Sequence, residues 1–456
     1  MTLLRPSAAF GRVALLASLF AILALLVVPS SRAEAMKIQV VKSPGGITAW
    51  LVEEHSVPLI ALRFAFEGGT AQDPEGKEGL SNFLAGMLDE GAGELTAKQF
   101  QERVEEIAMR MSFEDSRDAF YGSFETLTEN RDKAAALLAL ALGKPRFDAD
   151  AVERVRGQLQ AGLAYAARDP NRVASEQWAA MAFPGHPYGR PAAGTPASLK
   201  AITRDDIAAF WSRTFARDNL RVVVVGDIDA ATLAGLLDRV FGGLPAKAQL
   251  KPVAPTEPAS IEKQKVIEMA VPQSVARFGL PAMPRHDKDF ITAFVLNTIL
   301  GGGSMSSRLY EEVREKRGLA YSVHTSVQPY KQTSIFAGGV ATKNEEIAQS
   351  LDVIRAELAR FADEGPTEKE LADAKSYLTG SFALRFDSNA KIANQLLWIQ
   401  QEELGLDYVD RRNGEIEAVT LADIKRVAKR LFDGKELIVT IVGRPVGLAA
   451  TPAKRS

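Results

Sequence analysis

Few side chains in this 456-residue chain have types and spacings suited to chemistry. Cysteine is absent, so disulfides and thiolate reactions are excluded. The four histidines are His55, His186, His286 and His324, and no two stand three or four apart, as ligands sharing a helix face would. His186 sits in Pro184-Gly-His-Pro-Tyr-Gly189, a turn by composition, and His286 beside Asp287 and Asp289 reads as a solvated loop. No metal is assigned to this chain. Gly301, Gly302 and Gly303 precede Ser304 and predict a mobile, exposed backbone loop. They are not a phosphate loop, since no Lys-Ser/Thr follows at the required spacing. Arg314 and Tyr321 bound the run Arg-Glu-Lys-Arg-Gly-Leu-Ala-Tyr. Taken alone, the first reads as a surface helix charge and the second as a strand aromatic.

One helix presents a face of small residues. Leu80, Phe83, Leu84, Met87 and Leu88 follow the i, i+3, i+4, i+7, i+8 pattern of a core-facing stripe. Asn82, Ala85, Gly86 and Asp89 then fall on the opposite side. Gly86 is predicted mid-helix, where it costs about 1 kcal/mol against alanine.

The elements that would position these residues come in two copies. Ile202-Thr-Arg-Asp-Asp-Ile207 is echoed by Val419-Thr-Leu-Ala-Asp-Ile424, Phe215 by Phe432, and Val225-Gly226 by Val442-Gly443, all at an offset of 217. Thr203 and Thr420 suit helix N-caps, with Asp206 and Asp423 three positions on. Arg221-Val-Val-Val-Val-Gly226 and Leu437-Ile-Val-Thr-Ile-Val-Gly443 predict buried strands ended by glycine. The fold class is therefore α+β, with two similar domains in tandem facing each other across a cleft. The first spans 36–245 and the second 263–446, with a Pro-rich linker over 246–262 and a tail over 447–456. Pro245, Pro252, Pro255 and Pro258 mark the linker as extended.

The first 35 residues predict an export signal. Arg5 and Arg12 are followed by an apolar run from Val13 to Pro29, and Ala33-x-Ala35 suits cleavage before Met36. An uncleaved membrane anchor is the alternative. Cleavage leaves 421 of the 456 residues and moves the formal charge from −2 to −4, since three arginines and one glutamate leave with the leader. With no basic stripe, a nucleic-acid partner is not expected. Nor is membrane attachment once the leader is gone.

Gly68-Gly69-Thr70, Glu78-Gly79-Leu80 and Phe83-Leu84 resemble the first-domain core of the insulinase/pitrilysin family, the inverted zincins that include mitochondrial processing peptidase. Catalytic members carry His-x-x-Glu-His on this helix, two zinc ligands and a general base. The resemblance puts Asn82, Ala85 and Gly86 at those three places. The family's third ligand, a Glu on a later helix, falls at Ala161 or Gly162. None of these residues is a donor. In the second copy, the block from Leu300 to Val323 resembles the family's second-domain signature. By that resemblance Arg314 and Tyr321 reach towards substrate at a zinc site, where a phenol can stabilise an oxyanion and a guanidinium can hold the peptide backbone. Gly301–Gly303 resemble, in shorter form, a substrate-contacting glycine-rich segment of the noncatalytic processing-peptidase subunit.

The resemblance thus implies a zinc-less subunit of an exported, periplasmic zinc peptidase. It has no cofactor of its own and is inactive alone. A homologous His-x-x-Glu-His partner, in a heterodimer or larger assembly, carries the zinc and cleaves peptides. Two rivals are an inert periplasmic peptide-binding or scaffold protein and a self-sufficient peptidase with rearranged ligands.

Overall fold

The computed structural model describes residues 36–259 and 263–448. The expected leader over 1–35, linker residues 260–262 and the tail from 449 onward lie outside the described residues.

Apolar, β-branched runs build two sheets. The first uses β1 (Gln39–Lys42), β2 (Thr48–Glu53), β3 (Leu59–Glu67), β4 (Arg110–Asp115), β5 (Ala119–Leu127) and β6 (Leu220–Gly226), in the order β1-β2-β6-β3-β5-β4. The second uses β7 (Gln264–Glu268), β8 (Gln273–Pro281), β9 (Ser322–Pro329), β10 (Ser334–Lys343) and β11 (Ile438–Gly443), in the order β9-β10-β8-β11-β7. Apart from β1, the two orders are the same read from opposite ends. The senses agree too, since β2–β6 and β7–β11 are the parallel pairs and the others run antiparallel. The sequence repeat is thus a repeat of topology.

β6 and β11, the two valine-rich runs, are buried internal strands. Each ends at a glycine with positive φ, +143° at Gly226 and +149° at Gly443. A Cβ there would lie 2.1 Å from the carbonyl oxygen of Leu59 or 2.8 Å from Cα of Ser274, so only glycine lets the neighbouring strand approach. After β6 comes a helix capped by Asp229, Ala230–Phe241. Thr203 and Thr420 both form capping boxes, with Asp206 and Asp423, on Arg204–Thr214 and Leu421–Phe432.

One face of each sheet packs on helices of its own half. The other face receives a helix from the opposite half, an exchange the sequence did not reveal. Pro170–Ala182 of the first half lies on β8 and β11, where Ala174 packs with Val275 and Val442, and Trp178 with Ala337 and Ile438. Its twin, Asn389–Gln401, lies on β3 and β6. Trp178 Nε1 donates to the carbonyl of Ile438 at 2.8 Å, and Arg63 Nε to Asn394 at 2.8 Å. From Gln39 onward the halves accordingly form one compact unit.

The Pro-rich stretch after β6 carries neither helix nor strand as far as residue 259. It is pinned nonetheless. The buried Gln72 carboxamide accepts from Lys251 N at 2.8 Å and donates to its carbonyl at 2.9 Å. Thr256 N reaches Gln332 O at 2.9 Å. Where strap and halves meet, a cavity of about 290 Å³ remains between Glu67, Arg117, Lys251 and Lys331. No described helix is long and apolar enough to cross a membrane.

Candidate functional site

The small-residue helix, here α1, runs only from Leu80 to Ala85. Its apolar stripe is buried as the periodicity requires, with Leu80, Phe83, Leu84, Met87 and Leu88 at most 1% exposed. Gly86 is not mid-helix. It is the C-cap, at φ −76° and ψ −2°, so the expected helix-interior penalty does not arise. From outside, Asp73 caps the start of α1, its carboxylate accepting from the backbone N–H of Gly79 at 2.8 Å and Ser81 at 3.0 Å. Burial pushes the Asp73 carboxyl up to about 8 against these bonds.

The face that carries the metal ligands in the inverted zincins is closed by internal contacts. Asn82 Nδ2 donates to Asp115 on the edge strand β4 at 2.9 Å. Burial raises the Asp115 carboxyl and the Asn82 bond opposes that rise. A Cβ on Gly86 would come 3.1 Å from Val155 Cγ1, so a histidine there needs Val155 to move. Ala85 is buried. Val155 belongs to a helix over Ala149–Ala166, α2. Arg154 pairs with Glu90 through two 2.7 Å bonds, and the Arg156 guanidinium lies 5.2 Å from the Phe83 ring. The next turns of α2 after Val155 carry Leu159 to Gly162. Ala161 and Gly162 are exposed there and offer no donor. A zinc ion does not fit this corner, because its donors are missing or already bonded. Among the described residues no group of three or more His, Cys, Asp or Glu could hold a metal ion.

The second corner keeps its polar groups available. Arg314 and Tyr321 are brought together, with the guanidinium 5.0 Å from the Tyr321 ring and 4.7 Å from the Tyr310 ring. Nη1 of Arg314 also donates to the Tyr310 hydroxyl. The nearest carboxylate, Glu315, is 3.9 Å away. Tyr321 is 78% exposed. Tyr310 escaped the sequence reading, although it precedes Arg314 by four, the spacing of helix-face neighbours.

Tyr310–Glu315 is a π-helical turn, a geometry concentrated at functional positions. It is anchored by Glu312, whose buried carboxylate pairs with Lys316 at 2.7 Å and Arg317 at 2.6 Å. Burial would raise Glu312, but these two cations overcome it and hold the carboxyl at about 2. Arg308 pairs bidentately with Glu370.

Gly301 and Gly302, expected in a loop, lie in a regular turn, with Gly302 exposed. Thr298–Gly302 forms another π-helical turn, with Gly301 buried. A Cβ at Gly301 would lie 2.4 Å from Thr325 Oγ1, and one at Gly303 2.5 Å from Thr298 O. Gly301 thus permits close packing against β9, and Gly303 against the turn that precedes it. No hydrogen bond, ion pair or ring contact links Arg314 or Tyr321 to Asn82, Ala85 or Gly86 among the described residues.

With both corners described, the likenesses to known proteins can be stated. Residues 50–196 match the family described as Insulinase (Peptidase family M16), and residues 201–378 the Peptidase M16 inactive domain. A Helicobacter pylori protein named "Non-peptidase homolog YmxG" is 29% identical over 392 residues, 86% of this chain and 90% of that protein. An uncharacterized zinc protease of Streptomyces coelicolor is 26% identical over 411 residues, 88% of each. Among solved structures, a peptidase M16 inactive domain from Pseudomonas fluorescens has a TM-score of 0.84 and 27% identity, covering 91% of this chain and all of that one. A protease from Helicobacter pylori shares the fold, with a TM-score of 0.80 at 20% identity, covering 89% and 99%. The paired M16 domains and the missing ligand set together establish that the chain belongs to peptidase family M16, as a noncatalytic member.

Proposed function

We propose that this chain is the zinc-less subunit of an exported, two-chain metallopeptidase, lending Arg314 and Tyr321 to a homologous subunit that carries His-x-x-Glu-His. The observation that carries this reading is the Tyr310–Arg314–Tyr321 cluster, in which the guanidinium lies 4.7 and 5.0 Å from two rings and only loosely, at 3.9 Å, from the Glu315 carboxylate. A surface phenol left 78% exposed on such a stack is poor packing but a ready hydrogen-bond donor. Attack on a peptide carbonyl places negative charge on its oxygen. The Tyr321 hydroxyl is suited to donate to that oxygen, and Arg314 to hold the backbone carbonyl beside it. Polarised water is left to the partner. Extended substrates add as a strand, and β4 offers a sheet edge. The apolar, Ala-x-Ala leader supports export to the periplasm.

The test is peptide cleavage by the reconstituted pair, with equal assembly shown by size-exclusion chromatography. Tyr321→Phe lowers kcat on the order of 10²–10³, the usual loss for one oxyanion donor. Arg314→Ala also raises KM, because a backbone-holding guanidinium contributes to substrate binding. Unaltered kcat and KM in both variants would leave an inert scaffold. Cleavage by this chain alone would favour a self-sufficient peptidase.

A further inference from the structure

A cavity of the second half gathers cations without acids. Its volume is about 280 Å³, and Arg285, Arg385 and Arg412 stand in its wall. Aromatic rings supply much of the rest. Phe290 and Phe294 come from one helix, Phe382 from the turn Ser381–Phe386, Trp398 from the helix over Asn389–Gln401, and Tyr408 from the next. No acidic residue is in the lining.

Acids are close at hand, yet they are engaged elsewhere. Asp287 and Asp289, two and four residues after Arg285, pair with Arg430 and Arg426. Burial raises the Glu402 carboxyl and the charge of Arg285 opposes that rise, but the two form no ion pair. Among the described residues no carboxylate pairs with Arg285, Arg385 or Arg412. Burial lowers the Arg412 guanidinium, and the charges of Arg385 and Arg285 lower it further, with Tyr408 opposing them.

Rings rather than acids hold these cations. Arg285 lies 4.5 Å from the Phe290 ring, and Arg412, only 5% exposed, lies 4.1 Å from the Phe382 ring. Nη1 of Arg412 serves the Leu378 carbonyl at 3.1 Å and Asn413 at 3.0 Å, and Nη2 of Arg285 donates to the Tyr408 hydroxyl at 3.1 Å. Nε of Arg285 is buried and has no partner. A guanidinium stacked on a ring keeps its full charge and the donors along its edge. Buried cations without a counter-charge are costly, and a bound anion relieves that cost. Cavities of about 150 Å³ accept benzene, so this one has room for a ring and a charged group together.

We propose that this cavity binds the carboxylate of a small apolar acid. The body of the acid lies among the rings of Phe290, Phe294, Phe382 and Trp398, and its carboxylate meets Arg285 and Arg412 beside the Tyr408 hydroxyl. Arg385 is exposed and adds positive potential for an arriving anion. Walls that are mostly aromatic suit one charge on an apolar body better than a bare, strongly hydrated phosphate. A free aryl acid and the C-terminus of a peptide ending in an aromatic residue share this chemistry. The site has no residue in common with the Arg314 and Tyr321 corner and needs no partner subunit.

The experiment is calorimetry on the purified full chain. The probes are N-acetylphenylalanine, its C-terminal amide, 3-phenylpropanoate, acetate and inorganic phosphate. N-acetylphenylalanine is expected to bind about tenfold or more tighter than its amide, because only the acid carries the charge. For 3-phenylpropanoate the same margin is expected over acetate, which lacks the apolar body. Arg285→Met removes the preference for acid over amide. Gln395→Glu, nearly isosteric and in the cavity wall beside Arg385, weakens both aryl acids about tenfold or more with an unchanged circular-dichroism spectrum, because its carboxylate competes for the same cations. Tighter binding of N-acetylphenylalanine than of 3-phenylpropanoate assigns the site to peptide C-termini and the reverse order to free acids, and either order supports it. No binding of either aryl acid, equal binding of acid and amide, or a preference that survives both substitutions overturns the proposal. Phosphate binding as tightly as 3-phenylpropanoate overturns the apolar acid.

Discussion

Around α1, polar groups find one another: Asn82 with Asp115, Asp73 with two backbone amides, and Arg154 with Glu90. Around the Tyr310–Glu315 turn, the buried Glu312 is paired in the same way, yet Tyr321 is left facing solvent beside the half-buried Arg314. Of the two corners, only the second leaves a donor exposed, the Tyr321 hydroxyl. A buried polar group without a partner costs about 1–3 kcal/mol, so a corner that lost a metal gains by pairing its remaining groups internally. A corner used by a ligand must leave some groups unpaired. The difference teaches that loss of the zinc motif closed the first corner without closing the second.

The sharpest way to break this comparison is to reopen the first corner. Asn82→His, Ala85→Glu and Gly86→His, with Glu at Ala161 or Gly162, are expected to change zinc uptake from none to one equivalent. The change requires Val155→Ala, because Val155 fills the space beside Gly86. Metal content after dialysis against zinc reads the outcome. Equal uptake with and without Val155→Ala would mean that Val155 does not guard the site.

A smaller effect is expected from removing a buried arginine of the first sheet. Arg63→Met removes the ion-pair partner of the partly buried Glu125 and severs the bond to Asn394 that joins the halves, costing about 3 kcal/mol, less what Arg110 across the strand pair recovers. Denaturant unfolding measures it, and a loss below 1 kcal/mol would mean that the helix exchange holds without this pair.

The smallest effect concerns the anchor of the second corner. The Glu312 carboxyl is held at about 2, below its ordinary 4.5. A depressed acid contributes stability that is complete above pH 4.5 and is lost as pH falls towards 2. Glu312→Gln should therefore flatten the acid limb of the stability curve between pH 4.5 and 2. At neutral pH it removes about 3 kcal/mol at most, less whatever Lys316 and Arg317 recover from solvent. An unchanged acid limb, followed by Tm against pH, would show that these cations do not hold the carboxylate.

Much of this was legible in the residues. Strand and cap patterns are local, so the valine runs ending at Gly226 and Gly443 and the Thr203 and Thr420 boxes could be read directly, along with the offset of 217. Missing donors are equally local, because a carboxamide, a methyl and a hydrogen cannot bind zinc in any fold. Other features were not local. Gly86 was misplaced in the helix because a cap depends on where the chain turns next. Gly301–Gly303 read as a loop because glycine supplies both mobility and close approach, and only Thr325 and Thr298 decide between them. Nothing in Pro170–Ala182 or Asn389–Gln401 states that each covers the other half's sheet, since an apolar face records that it must be buried and not against what. The sequence alone therefore determined the repeat, the strand pattern and the loss of donors at the places of the His-x-x-Glu-His motif. Tertiary structure alone decided the helix exchange, because it depends on contacts between residues far apart in the chain, and the stacking of Arg314 on Tyr310 and Tyr321, because it depends on how the chain turns from the π-helical segment into β9.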